Sequence, residues 1–148
     1  MTKPKSSPAD RGKAAEKAVE GFLKRWNAAN YEADYERLPD ARSAMSHVAA
    51  AAADFAFFKP GRHGLLEVKE TEHDFKLAKA KVTQLPRIKK RHHAGGSCAV
   101  LVYHSKIERW RVIHMDFIYA NSDKTQWDLT ALPLYLTADD AAMSTTWF

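Results

Sequence analysis

Apolar positions change their period several times along the chain, and each change marks an element. Ala15, Val19, Phe22 and Trp26 recur at three- and four-residue spacing, which lines one face of a helix and leaves Lys13, Glu16, Lys17 and Lys24 nearer solvent. The pattern predicts a helix running to about Asn30. Ser7 or Asp10 caps it, and Pro8 suits a first turn, where its missing N–H is no loss. Residues 1–9 read as a flexible tail and 10–148 as a single domain. Tyr31 to Asp40 shows no clear period and has room for a short strand. The Ala-rich piece from Ser43 to Ala53 fits a short helix or an irregular approach to the next strand.

From Ala53 the period becomes two. Ala53–Lys59 is rich in Phe and alternates, Pro60–Gly64 is a turn, and Leu65–Thr71 alternates again, so the centre reads as a hairpin. A basic loop follows to Val82. Thr83 is then the expected cap of a helix with Pro86 in its first turn, ending at Gly95-Gly96. Cys98–His104 is nearly continuous apolar sequence, as a buried central strand requires. Ile107–His114 alternates and pairs with it through a Ser105-Lys106 turn. Met115–Ala120 is one helical turn, Leu132–Leu136 a short strand, and a helix follows Thr137. Helix, hairpin, helix and two strands predict an α/β fold: a mixed central sheet flanked by helices.

Composition adds little beyond this. With 45% hydrophobic and 28% charged residues the chain is of ordinary globular type. No stretch approaches the roughly 18 apolar residues of a membrane span, and the start carries no apolar core of a secretory signal. One cysteine, Cys98, excludes an internal disulfide and any cysteine-based zinc site. A cytoplasmic protein is expected.

Charge is more informative in its placement than in its sum of +5. From Lys76 to His93 there is no acid, while Lys76, Lys79, Lys81, Arg87, Lys89, Lys90 and Arg91 all occur. Such a run is a solvated face, a localisation signal or a phosphate-binding surface, and charge alone does not choose among them. With Arg62 in the hairpin turn, these are the candidate DNA-backbone contacts.

The candidate chemistry lies on the hairpin. Period two puts Glu67 and Lys69 on one face of their strand and Leu66 and Val68 on the other. A turn closing around Gly61 and Arg62 brings Asp54 across from Glu67 or Lys69. Two carboxylates and an ammonium then share a patch. The bland alternative is a surface ion pair between solvent-facing residues. Against it, Asp54 lies among Ala53, Phe55, Phe57 and Phe58, and the basic run follows directly. Magnesium takes one or two carboxylates, with water and phosphate oxygens completing its shell.

Asp54, a variable turn and Glu67-Val68-Lys69 resemble the signature of the PD-(D/E)XK nuclease superfamily. The longer set Ala53-Asp54-Phe55, Lys59, Gly64 and Glu67-Val68-Lys69-Glu70-Thr71 resembles RecU-type Holliday junction resolvases, whose strand reads Glu-Ala-Lys-Glu-Thr. Arg11-Gly12 followed by Glu16, then Gln84, then Ala94-Gly95-Gly96 extend the resemblance from Arg11 to His104. It implies a restriction-endonuclease-like core, with Asp54, Glu67 and the Val68 carbonyl holding Mg2+ (Mn2+ substituting). It further implies Lys69 as catalytic lysine and Glu16 and Gln84 in support, with Glu20 the alternative to Glu16. The implied partner is DNA, four-way junctions or other branched forms. A homodimer is implied because such a junction needs two symmetric cuts. Proteins of this compact form are often phage-encoded and act in the host cytoplasm. Ala53 stands where the family usually has a hydroxyl residue, and the segment before Gln84 is shorter, departures that bear on junction specificity.

Two other functions share these features: a nuclease of linear duplex or single-stranded ends, and a basic DNA-binding module without turnover. A zinc site from His63, His73, His92, His93 and His104 is disfavoured, because no two lie at i, i+4. Cys98 opens a buried strand and reads as a small apolar residue. Trp110, Tyr103 and Phe117 read as core rather than base-stacking aromatics.

Overall fold

A computed structural model describes residues 4–39 and 53–148. The Ala-rich segment 43–52 lies outside the described residues. Helix α1, Pro8–Ala29, begins within the stretch expected as a tail. Ser7 is its cap, in a reciprocal capping box with Asp10, and Pro8 stands at its start. Ala15, Val19, Phe22, Leu23 and Trp26 form its buried face.

The main sheet has five strands: β1 (Asp34–Arg37), β2 (Phe55–Lys59), β3 (Arg62–Thr71), β5 (Ser97–His104) and β6 (Arg109–His114), neighbours in that order. β3 and β5 run parallel, Glu67 opposite Val100 and Thr71 opposite His104, and the other pairs are antiparallel. The expected mixed sheet flanked by helices is therefore what forms. Gly64 shows how tightly β3 and β5 are fitted. A Cβ there would stand 1.7 Å from the Ser97 carbonyl oxygen and 2.6 Å from the Phe57 ring.

Two cores sandwich the sheet. On one face α1 and α4 (Ala138–Met143) pack with Phe55, Phe57, Leu66, Val68, Ala99, Leu101 and Trp110. On the other, α2 (Leu85–His93) and α3 (Met115–Ala120) pack with Ala56, Leu65, Val100, Val102 and Ile113. No helix is long and apolar enough to cross a membrane among the described residues.

Several expectations are corrected. The hairpin closes on Pro60 and Gly61 (φ 73°), not on Gly61 and Arg62, so Phe55 pairs with Leu66, and Asp54, just before β2, reaches β3 through its side chain at Val68. Gln84, not Thr83, caps α2, which shifts Pro86 to the second helical position. The basic loop contains β4 (Lys76–Ala78) and a 3-10 turn (Lys79–Lys81), and β4 pairs with β7 (Gln126–Asp128) in a separate ribbon. Leu132–Leu136 contributes one bridge, Tyr135 to Trp110, rather than a strand. The β5–β6 turn is longer than Ser105-Lys106, with Glu108 at φ 51°.

Candidate active site

β2 begins at Phe55, opposite Leu66, so one edge of β3 is left without a strand partner from Glu67 onward. Asp54 continues the pairing with its side chain: its Oδ2 accepts a 2.7 Å hydrogen bond from the Val68 N–H. That bond fixes the carboxylate against the strand that carries Glu67 and Lys69. The unpaired edge borders a cleft of about 390 Å³ whose walls include Arg11, Glu16, Val68, Lys69, Glu70, His73 and Lys81.

Leu66 and Val68 enter the α1 core, whereas Leu65 enters the α2 core. Alternation therefore carries Glu67 and Lys69 on the α2 side. Glu67 is fully buried, which excludes the reading of it as a solvent-facing strand residue. The ion pair is Lys69 with Glu67, Nζ to Oε1 3.2 Å, and its geometry is not that of a hydrogen bond. Both Glu67 oxygens are buried with no hydrogen-bond partner, and so is Gln84 Oε1 at the cap of α2. Native interiors rarely leave such acceptors without a hydrogen bond, and water, an ion or a ligand commonly supplies the missing one. Burial pushes the Glu67 carboxyl up to about 9, the charge of Asp54 adds to this, and Lys69 opposes it.

The donor chemistry fits a hard divalent cation. Asp54 and Glu67 supply two carboxylates, each acting on the other's charge, and carboxylate oxygens are the ligands such an ion prefers. Among the described residues there is no cluster of three or more His, Cys, Asp or Glu that could hold a metal. A cation here would be held by two carboxylates with water, as magnesium commonly is.

Glu16 and Glu20 project from α1. Arg37 of β1 joins them, Nη2 to Glu16 Oε2 3.1 Å and Nη1 to Glu20 Oε2 2.6 Å. Sequence reasoning passed over Arg37, which sits in a polar strand with no motif around it. Arg11 clamps Glu70 at 2.8 Å and Glu72 at 2.9 Å, tying the start of α1 to the end of β3.

A buried network, also unforeseen, secures the segment after β3. Arg111 donates to the Asp74 carbonyl (2.6 Å), the Leu132 carbonyl (3.2 Å) and His104 Nε2 (3.1 Å). With Nε2 accepting, His104 Nδ1–H donates to the His73 carbonyl at 2.6 Å. Burial holds His104 below the usual histidine range, and the charge of Arg111 pushes the same way. His73, at one wall of the cleft, is thus held by the sheet behind it.

The basic residues are dispersed. Lys81 is in the cleft wall. Arg87 and Lys90 are exposed on α2, and Arg91 packs near Gly96. Lys89 lies over the Tyr119 ring and Lys76 over Phe75. Lys79 donates to the Ser122 carbonyl at 2.6 Å. Arg62, bonded to Ser97 Oγ at 2.8 Å, stands at the other end of β3 from Lys69, about 23 Å along the strand. His92 and His93 surround Tyr119, with the Tyr119 hydroxyl 3.2 Å from His93 Nε2.

No family model and no curated protein sequence matches the chain. Among solved structures, the chain is similar to Hjc of Archaeoglobus fulgidus, a Holliday junction resolvase from an archaeal hyperthermophile. Identity is 16%, the match covers 84% of this chain and 98% of that one, and the TM-score is 0.49. A likeness of that degree assigns no residue a role.

Proposed function

We propose that the protein is a metal-dependent, structure-selective DNA endonuclease that hydrolyses phosphodiesters in branched DNA, four-way junctions foremost. One observation carries the hydrolytic part: a fully buried glutamate, Glu67, neither of whose oxygens accepts a hydrogen bond, with Oε1 3.2 Å from the Lys69 ammonium and the charge of Asp54 acting on it. The branched substrate follows from the RecU-like resemblance between Arg11 and His104.

In this reading Asp54 and Glu67 hold Mg2+ (or Mn2+), with the Val68 carbonyl in support. The ion, when bound, supplies a water of lowered pKa and offsets negative charge growing on phosphorus. Asp54 is already oriented by the Val68 N–H. Glu67 must lose its proton to serve as a ligand, and Lys69 favours that loss. Lys69 Nζ, at the cleft wall, positions the attacking water and neutralises the transition-state oxygens. Glu16 lines the same cleft, and Gln84 presents an unsatisfied oxygen from α2. Lys81, Arg87 and Lys90 contact phosphates and place the duplex without reading its sequence. Two copies acting as a homodimer make the paired cuts.

The test is incubation with a labelled four-way junction and a matched linear duplex, with and without magnesium, beside Asp54→Asn and Lys69→Ala. Magnesium-dependent cutting of the junction by the unaltered chain alone supports the proposal. Equal cutting of both substrates points to a nuclease of linear DNA instead. Binding with no cut under any condition leaves a DNA-binding module.

A further inference from the structure

His104 is fully buried and Arg111 is 5% exposed, yet neither has a carboxylate at ion-pair distance among the described residues. Arg111 spends its hydrogen bonds on the carbonyls of Asp74 and Leu132 and on His104 Nε2. His104 in turn donates from Nδ1 to the His73 carbonyl at 2.6 Å. Two more bonds hold the same irregular stretch between β3 and β4. The His73 N–H donates to Thr71 Oγ1 at 3.1 Å, and the Leu129 N–H to the Phe75 carbonyl at 2.7 Å. Burying ionisable groups is costly, and what these two fasten is main chain at 73 and 74 rather than an opposite charge.

The residue so fixed, His73, is exposed in the wall of the cleft that also holds Lys69 and Lys81. The acids of that wall are already neutralised: Glu16 pairs with Arg37, and Glu70 and Glu72 pair with Arg11. Lys69 is engaged with Glu67. His73 and the exposed Lys81 enter no ion pair among the described residues, and Asp74 is not part of the wall. The cleft therefore keeps an ammonium and an imidazole N–H for an anion. Lys81 offers a phosphate a mobile point charge, whereas His73 offers a directed bond from a fixed backbone.

We propose that His73 and Lys81 form a phosphate subsite of the cleft, holding a nucleotide that flanks the scissile bond, and that His104 and Arg111 are the positioning residues of His73. The subsite rests on the reading of the cleft as the place where a DNA strand lies, and the experiment separates the two.

Binding of a labelled four-way junction is measured in EDTA, with melting curves alongside, for the full chain, His73→Ala, His73→Gln, His104→Phe and the double variant of His73→Ala with His104→Phe. His73→Ala should bind roughly three- to tenfold more weakly at an unchanged melting temperature. His73→Gln, which keeps an N–H donor, should recover most of that loss. His104→Phe should weaken binding by about the same factor, and the double variant by no more than either change alone, because both remove one contact. Losses that multiply in the double variant would overturn the positioning role. If His73→Ala binds as tightly as the unaltered chain, the subsite is overturned and the DNA reading stands. If the unaltered chain binds no junction, the DNA reading fails and the subsite fails with it. The His73 variants, changed at an exposed position, decide the subsite even if His104→Phe does not fold.

Discussion

The Asp54 carboxylate accepts the Val68 N–H at 2.7 Å, taking the place of a strand partner where β2 has ended. The same side chain thus finishes the sheet edge and faces the buried Glu67. Asn can keep the acceptor and lose the charge, whereas Ala loses both. Asp54→Asn should therefore remain folded with cleavage reduced at least about a hundredfold, by analogy with loss of a main transition-state stabiliser. Asp54→Ala should in addition lose about 1–3 kcal/mol from the stranded N–H. Thermal unfolding beside a cleavage assay distinguishes them.

Glu67 makes stability depend on pH in an unusual direction. Its carboxyl is raised from 4.5 to about 9, first by burial and then by the charge of Asp54. The folded chain binds the proton more tightly than the unfolded one, so this contribution is complete below pH 4.5 and is lost as pH rises towards 9. Without metal, Glu67→Gln should unfold at higher temperature than the unaltered chain at pH 8, and no higher at pH 4. The gain at pH 7 should be on the order of 2–3 kcal/mol. Saturating magnesium should reverse the order, because only the unaltered chain binds the ion well. Melting curves across pH check both.

Gly64 tests the fold independently of the chemistry. A methyl group there meets the Ser97 carbonyl at 1.7 Å and the Phe57 ring at 2.6 Å, and neither a strand backbone nor a packed ring can withdraw. Gly64→Ala should cost at least about 3 kcal/mol, read by denaturant unfolding. An unshifted midpoint would contradict the β3–β5 register.

Lys81 and Arg87 test the DNA surface. Each changed to Ala should weaken binding about equally across sequences and reduce the log–log salt slope by about 1. Arg62→Ala should have the smaller effect, since its position is remote from the cleft. Titrations of a labelled junction at several salt concentrations supply the slopes.

What the sequence revealed and what it hid divide along the range of the interactions. The apolar face of α1 and the apolar run of β5 carry their own local signals, and both are where the patterns put them, whereas the start of α1 lies inside the stretch read as a tail. The spacing of Glu67 and Lys69 was legible for the same reason, since alternation needs only neighbours. β4 and β7 were not legible. Each is three residues long, and Leu77 finds Trp127 across 50 positions of chain. The burial of Glu67 was equally hidden, because α2 and the second core close over it from elsewhere in the sequence. Arg37 on Glu16 and Arg111 on His104 are long-range or cross-strand pairings of the same kind.

The most direct test is a crystal of the chain grown with Mn2+ and read for anomalous scattering. A peak is expected between Asp54 and Glu67, with a carboxylate oxygen of each at about 2.0–2.3 Å. A Mn2+ peak elsewhere, or a saturated crystal with none at Asp54 and Glu67, would contradict a metal-dependent active site on this hairpin.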